Sequence, residues 1–255
     1  MSRPLSLSST ARPAVLVPIL VLLAALLTGA TQSSRAGAAV AAGDTAAKPT
    51  VVLVHGAFAD ASGWNDVATR LAAKGYPVLA PPNPLRGLTS DTAYLKTFLS
   101  TIAGPIVLVG HSYGGAVITN AATGNPDVRA LVYVAAYALD EGENVAEANE
   151  LGGGHSDLLE HIIVRPYPGA PEGDGDVYVD PQAFRSIFAQ DLPRAQTVAM
   201  AAGQRPATFG ALITPSAEPA WRTVPSWYLI AGDDQLIPPP AQAAMAERAE
   251  ARTRT

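Results

Sequence analysis

The chain is predicted to be an α/β protein, with a mostly parallel sheet, helices on both faces and a helical lid inserted before the last strand. Three observations predict this. Short, uninterrupted apolar runs alternate with helical patterns from Pro49 onward; strands covered on both faces by helices read this way, without polar alternation. A Gly-His-Ser-Tyr-Gly turn joins one of these runs to a helix. Between Tyr137 and Pro225 the alternation stops for a stretch that suits a lid better than a connecting loop.

The order of elements begins behind a leader. Arg3 and Arg12 precede an uncharged apolar run, Ala14 to Leu27, and small residues follow through Ala36-Gly37-Ala38 and Ala39-Val40-Ala41. Basic, then apolar, then small is the layout of a secretory signal peptide. The run falls short of the about 20 residues that span a bilayer, so an uncleaved anchor is the weaker reading. Residues 1–41 are therefore expected to be a signal and processing region, 42–48 a linker, and 49–255 the folded domain, with the lid at about 138–224. Export implies a secreted or extracytoplasmic location, with no stable membrane span after cleavage. The chain has no cysteine, which excludes both a lipid-anchored cysteine and disulfides.

Thr50 to Val54 forms the first strand, and Gly63 to Lys74 a helix with Trp64, Val67 and Leu71 on one side, stopped by Gly75. Tyr76 to Ala80 is a second short run. Thr89, Ser90 or Asp91 caps a helix bearing Tyr94, Leu95, Phe98 and Ile102. Ile106 to Val109, Leu131 to Val134 and Trp227 to Ile230 supply further strands; a small-residue helix starts at Gly114, and a last helix covers roughly Pro240 to Ala249. In the lid, helices are expected near Phe184, Ile187 and Phe188 and again from Pro193. Loss of Arg3, Arg12 and Arg35 would deepen the net charge from −5 to −8, and no basic cluster exists, so nucleic acid is not an expected partner. Composition sets no oligomeric state.

Chemistry concentrates at three turns. In Gly110-His111-Ser112-Tyr113-Gly114 the serine sits on a sharp strand-to-helix bend, with Gly110 and Gly114 where side chains would collide. This lifts the hydroxyl above the sheet edge and aims the Tyr113 N–H at a developing oxyanion. His55-Gly56-Ala57 ends the first strand at the same edge; Gly56 permits close approach, Ala57 N–H is the second oxyanion donor, and His55 reads as structural. After the last strand, Gly232-Asp233-Asp234 provides an acid to orient an imidazolium, and either aspartate meets that need. Asp174, Asp176 and Asp180 cluster without a full calcium loop. There is no phosphate loop with lysine and no Cys/His metal pattern, so no cofactor and no metal are expected.

These motifs together resemble the α/β-hydrolase superfamily over Pro49 to about Ala249. The His55-Gly56-Ala57 start is similar to the small methylesterase and hydroxynitrile-lyase branch. The Gly-His-Ser-Tyr-Gly-Gly elbow and the Asp234-x-x-Ile237-Pro238-Pro239 tail resemble its bacterial members. The resemblance implies Ser112 as nucleophile, Asp234 as the acid, Ala57 and Tyr113 as oxyanion donors, and a small-molecule ester as substrate. The lyases carry threonine where this chain has Gly56, which tilts the expectation to ester hydrolysis over cyanohydrin cleavage; a non-catalytic binding protein is the third alternative. The family places its histidine after one further strand, whereas here Thr255 lies only 21 residues past Asp234 and the four histidines are His55, His111, His155 and His161. The expectation is a chain lacking the C-terminal strand, helix and triad histidine, with an exposed edge beside Trp227 and impaired turnover.

Overall fold

A computed structural model describes residues 47–255; the expected signal segment and most of the linker lie outside them. No helix among the described residues is long and apolar enough to cross a membrane.

The first half alternates strand and helix. β1 (Thr50–Val54) leads through a 3₁₀ turn (Ala61–Trp64) into α1 (Asn65–Ala73), then come β2 (Val78–Leu79), α2 (Leu88–Leu99), β3 (Ile106–Ser112), α3 (Tyr113–Ala121) and β4 (Val128–Ala136). The two-residue side-chain period of a strand sorts their apolar residues onto two faces. Val52, Val54, Ile106 and Leu108 join the larger core with α2 and α3, while Val51, Leu53 and Val109 join Trp64 on the opposite face, flanked by Leu71 of α1. Gly75, at φ +78°, closes α1 as expected. The cap of α2 differs from expectation: Gly87 is the N-cap, and Asp91 reaches back from inside the first turn to the N–H groups of Arg86 and Gly87.

The lid region that follows is mixed rather than helical alone. It holds α4 (Val145–Ala148), β5 (Ile162–Arg165), β6 (Asp176–Val179), α5 (Phe184–Phe188), α6 (Arg194–Ala202), β7 (Ala207–Thr208) and α7 (Phe209–Ile213). The two expected helices are α5 and α6. The three strands form their own antiparallel sheet, β5-β6-β7, which pairs with none of the core strands. Their runs are at most four residues long, too short for a period to separate strand from helix. The body resumes with β8 (Ser226–Leu229), α8 (Pro239–Arg248) and β9 (Arg252–Arg254).

All core pairings are parallel, in the order β2-β1-β3-β4-β8-β9. β9 corrects the expectation of a missing final strand and a bare edge. Arg252, Thr253 and Arg254 pair with Trp227, Tyr228 and Leu229, and Ile230 N–H donates to Arg254 O at 2.8 Å. The segment carries no apolar signal because its side chains are exposed at the sheet edge; Arg252 lies over the Trp227 ring at 5.4 Å. The lid therefore precedes β8, the strand before the last.

Polar ties fasten the lid to the body at several points. Arg248, ending α8, donates to Glu143 Oε2 at 2.6 Å and to Ala138 O at 2.8 Å. The buried Asn120 of α3 donates to Ser216 Oγ at 3.0 Å and accepts from Ala217 N–H at 2.7 Å. Ser156 Oγ donates to Leu236 O at 2.7 Å.

Candidate active site

Ser112 ends β3 and begins the turn into α3 with φ +51° and ψ −126°, a conformation few side chains adopt and one held only where surroundings enforce it. The enforcement is steric. A Cβ at Gly114 would stand 2.4 Å from Val54 O, and one at Gly110 2.7 Å from Gly114 O, so strand, turn and helix close only around bare backbone. The register between β3 and β4 shifts at His111/Ser112, bringing Ser112 opposite Ala136. Every residue of α3 is buried, which fixes the helix whose first N–H belongs to Tyr113.

Gly56 comes close to the same turn: a Cβ there would lie 2.7 Å from Ser112 Cβ and 3.2 Å from its Oγ. The structure thus brings the end of β1 beside Ser112, as the sequence predicts. Neither Ala57 N–H nor Tyr113 N–H donates to a main-chain acceptor among the described residues. His55 is tied to the main chain through both ring nitrogens. Its ring is buried, with Nδ1 on Gly56 O at 2.9 Å and Nε2 accepting from Asn83 N–H at 2.9 Å. Burial lowers its pKa, which keeps the ring neutral and suits one donating and one accepting nitrogen.

Ser112 and Asp234 line one cavity of about 500 Å³, within the range of small-molecule sites. Ala135, Ile187, Phe188, Leu236 and Ile237 give it apolar walls, with Ile187 and Phe188 contributed by α5 of the lid. Asp233 lines it too, but the hydrogen bonds separate the two acids. Asp234 Oδ1 accepts from Leu236 N–H at 2.8 Å and Ile237 N–H at 2.9 Å, and Oδ2 accepts from Gln242 Nε2 at 3.0 Å. Burial raises the Asp234 pKa, and these donors oppose the rise. Gln242 is itself wholly buried, accepting from Ala231 N–H at 3.0 Å and donating to Ile237 O at 2.7 Å.

None of the four histidines is hydrogen-bonded to Ser112. His111 packs edge-on against Trp64, ring centres 6.4 Å apart, and burial lowers its pKa to about 4. His155 Nε2 lies 3.6 Å from Asp157, and His161 closes a short 3₁₀ turn in the lid. The clustered lid aspartates go separate ways: Asp174 accepts from Gly175 and Gly210 N–H, Asp176 pairs with Arg86 at 2.6 Å, and Asp180 accepts from Gln182 N–H. No group of three potential metal ligands occurs among the described residues.

Asn83, Asp91 and Gln242 are the site-region residues that motif reading passes over. Asp91 is legible only as a helix cap, and Gln242 only as a residue two turns beyond the acid. Asn83 has no sequence signal at all.

The model of the alpha/beta hydrolase family matches residues 51–255. A carbendazim-hydrolyzing esterase of Nocardioides sp. (strain SG-4G) is 32% identical over 143 residues, 46% of this chain and 59% of that one, so the match spans under two thirds of the esterase. The structure of a pyrethroid hydrolase from Sphingobium faniae JZ-2 superposes with a TM-score of 0.63 at 25% identity, over 78% of this chain and 84% of the other. Polyneuridine aldehyde esterase shares the fold, with a TM-score of 0.67 at 20% identity, over 81% and 89% of the two chains. With the Ser112 turn, the parallel sheet and the lid in place, the match across nearly all of the described residues settles the family: the chain belongs to the alpha/beta hydrolases.

Proposed function

We propose that the chain is an exported serine hydrolase that cleaves a small, mostly apolar carboxylic ester through an acyl-enzyme on Ser112. The single observation carrying this reading is that the strained Ser112 turn opens on the same lidded cavity as the hydrogen-bonded Asp234. The esterase and pyrethroid hydrolase relatives support ester cleavage, and the basic, apolar, small-residue order of residues 1–41 supports export. In the first step Ser112 Oγ bonds to the ester carbonyl carbon, and the oxyanion accepts hydrogen bonds from Ala57 N–H and Tyr113 N–H. Collapse expels the alcohol, and water then releases the acid from the serine. Asp234 is the group that would orient and stabilise a protonated imidazole. None of the four described histidines is hydrogen-bonded to Ser112, so with these residues alone solvent bases take the serine proton and turnover is slow. The main-chain donors still leave about 10³–10⁴-fold over water.

Cyanohydrin cleavage is disfavoured, because a side chain at position 56 would press on Ser112. Hydrolysis of p-nitrophenyl butyrate by the chain and by Ser112→Ala tests the reading. A slow rate that disappears in Ser112→Ala, and that rises when imidazole is added, supports it. An equal rate in both proteins, or tight ligand binding without Ser112-dependent turnover, overturns it in favour of a non-catalytic binding protein.

A further inference from the structure

The segment from Asn83 to Asp91, between β2 and the first turn of α2, reaches both main-chain donors through one intermediary each. On the Ala57 side, Asn83 holds His55 twice: its N–H donates to His55 Nε2 at 2.9 Å and its Nδ2 to His55 O at 3.0 Å. The same ring closes on Gly56 O, the carbonyl of the very peptide group that carries Ala57 N–H. On the other side, the phenol of Tyr113 donates to Asp91 Oδ2 at 2.8 Å. Asp91 is 0% exposed and Tyr113 1%.

A carboxylate without solvent is costly unless it is paired or hydrogen-bonded. No cationic side chain is hydrogen-bonded to Asp91; its partners are Arg86 N–H at 3.1 Å, Gly87 N–H and the Tyr113 phenol. The Arg86 guanidinium instead pairs with Asp176 of β6. An apolar residue would fill this position at lower cost. What the acid achieves is a fixed anchor for the side chain of Tyr113, whose main-chain N–H is one of the two oxyanion donors proposed above. The segment is in turn held to the lid sheet, where Thr208 N–H donates to Leu85 O at 3.0 Å.

We propose that Asn83 and Asp91 are positioning residues that aim the Ala57 and Tyr113 N–H groups, one brace serving both halves of the oxyanion site. The proposal rests on the hydrolytic reading above for its kinetic consequence but not for its geometric one. Neither residue touches substrate, and each acts through His55 or Tyr113.

The test uses the full chain with Asp91→Asn, Tyr113→Phe, their double variant, Asn83→Ala, and Val128→Ala as a control that trims a buried residue at the far end of β4. For Ser112-dependent hydrolysis of p-nitrophenyl butyrate, Asp91→Asn and Tyr113→Phe are expected to lower kcat by about ten- to a hundredfold, with KM within about twofold. The double variant is expected to fall no further than the worse single, since both cut one strut. Val128→Ala is expected to lose stability without that loss of kcat. Rate losses that merely follow the unfolded fraction, or a raised KM at unchanged kcat, overturn the proposal.

Residual dipolar couplings supply a readout free of chemistry. The Tyr113 N–H vector is expected to reorient in Asp91→Asn and the Ala57 vector in Asn83→Ala; unchanged vectors in folded variants overturn the brace. Absence of Ser112-dependent turnover in the parent chain overturns the hydrolytic reading alone, and the couplings then decide the brace.

Discussion

At Ser112 the backbone is held by other backbone: Val54 O, His55 O and Gly114 O stand where any added Cβ would go. At Asp234, on the same sheet edge, the chain is held by three donors converging on a single carboxylate. The first turn is a steric lock that fails when atoms are added. The second is a polar lock that fails when a partner is removed. Both deliver their side chains to one cavity, so the comparison teaches that this site is assembled from two kinds of rigidity with different vulnerabilities.

The largest expected effect comes from adding one methyl group to the steric lock. Gly114→Ala puts carbon 2.4 Å from Val54 O, where only backbone displacement relieves it. A loss of about 3 kcal/mol in urea unfolding is expected, at the upper end of overpacking costs. A loss within about 0.5 kcal/mol would show that the turn is held by something other than sterics.

Gln242→Leu breaks the polar lock instead. It leaves Ala231 N–H, Ile237 O and Asp234 Oδ2 each short of a partner. About 2–3 kcal/mol of destabilisation is expected from the buried groups left unpaired. Because Gln242 also opposes the burial-driven rise of the Asp234 pKa, a carboxyl carbon titration by NMR is expected to move further upward in this variant. An unmoved titration would mean that the main-chain donors alone define the acid.

A pH titration sharpens the comparison on the Ser112 side. Burial lowers the His111 pKa from an ordinary 6.5 to about 4. The folded state therefore resists a proton that the unfolded chain accepts. Stability is fully present above pH 6.5 and is lost as pH falls toward 4, with a slope of about 1.4 kcal/mol per pH unit per proton. His55, lowered in the same direction, adds to that slope. Chemical denaturation of His111→Gln across this range is expected to give a flatter profile; an unchanged slope would assign the loss elsewhere.

The smallest effect concerns the edge that β9 covers. Deleting Arg252 to Thr255 removes the pairing to Trp227, Tyr228 and Leu229. A cost of about 1 kcal/mol and increased light scattering on heating are expected, as for any uncovered strand edge. Unaltered scattering would make β9 dispensable to the sheet.

How far the sequence was legible follows from where each signal lies. The Ser112 turn announces itself because its steric demand can be met only by glycines flanking it at fixed spacing. Helix α5 is legible through Phe184, Ile187 and Phe188, which repeat on one side. The small lid sheet is not, since Ile162–Arg165 and Asp176–Val179 are too short to show a period. β9 is hidden because an exposed Arg-Thr-Arg edge strand lacks the apolar run that marks its neighbours. The brace is invisible for another reason: Asp91 meets Tyr113 across 22 residues and Asn83 meets His55 across 28, and only the fold brings those partners together.

The central claim is that Ser112 is the reacting group of a preformed site. Incubation of the 255-residue chain with a fluorophosphonate probe, followed by peptide mass mapping, tests it most directly. The account predicts slow, single-site labelling on the peptide containing Ser112, accelerated by imidazole and abolished in Ser112→Ala. Labelling spread over several serines, or persisting undiminished in Ser112→Ala, would contradict it.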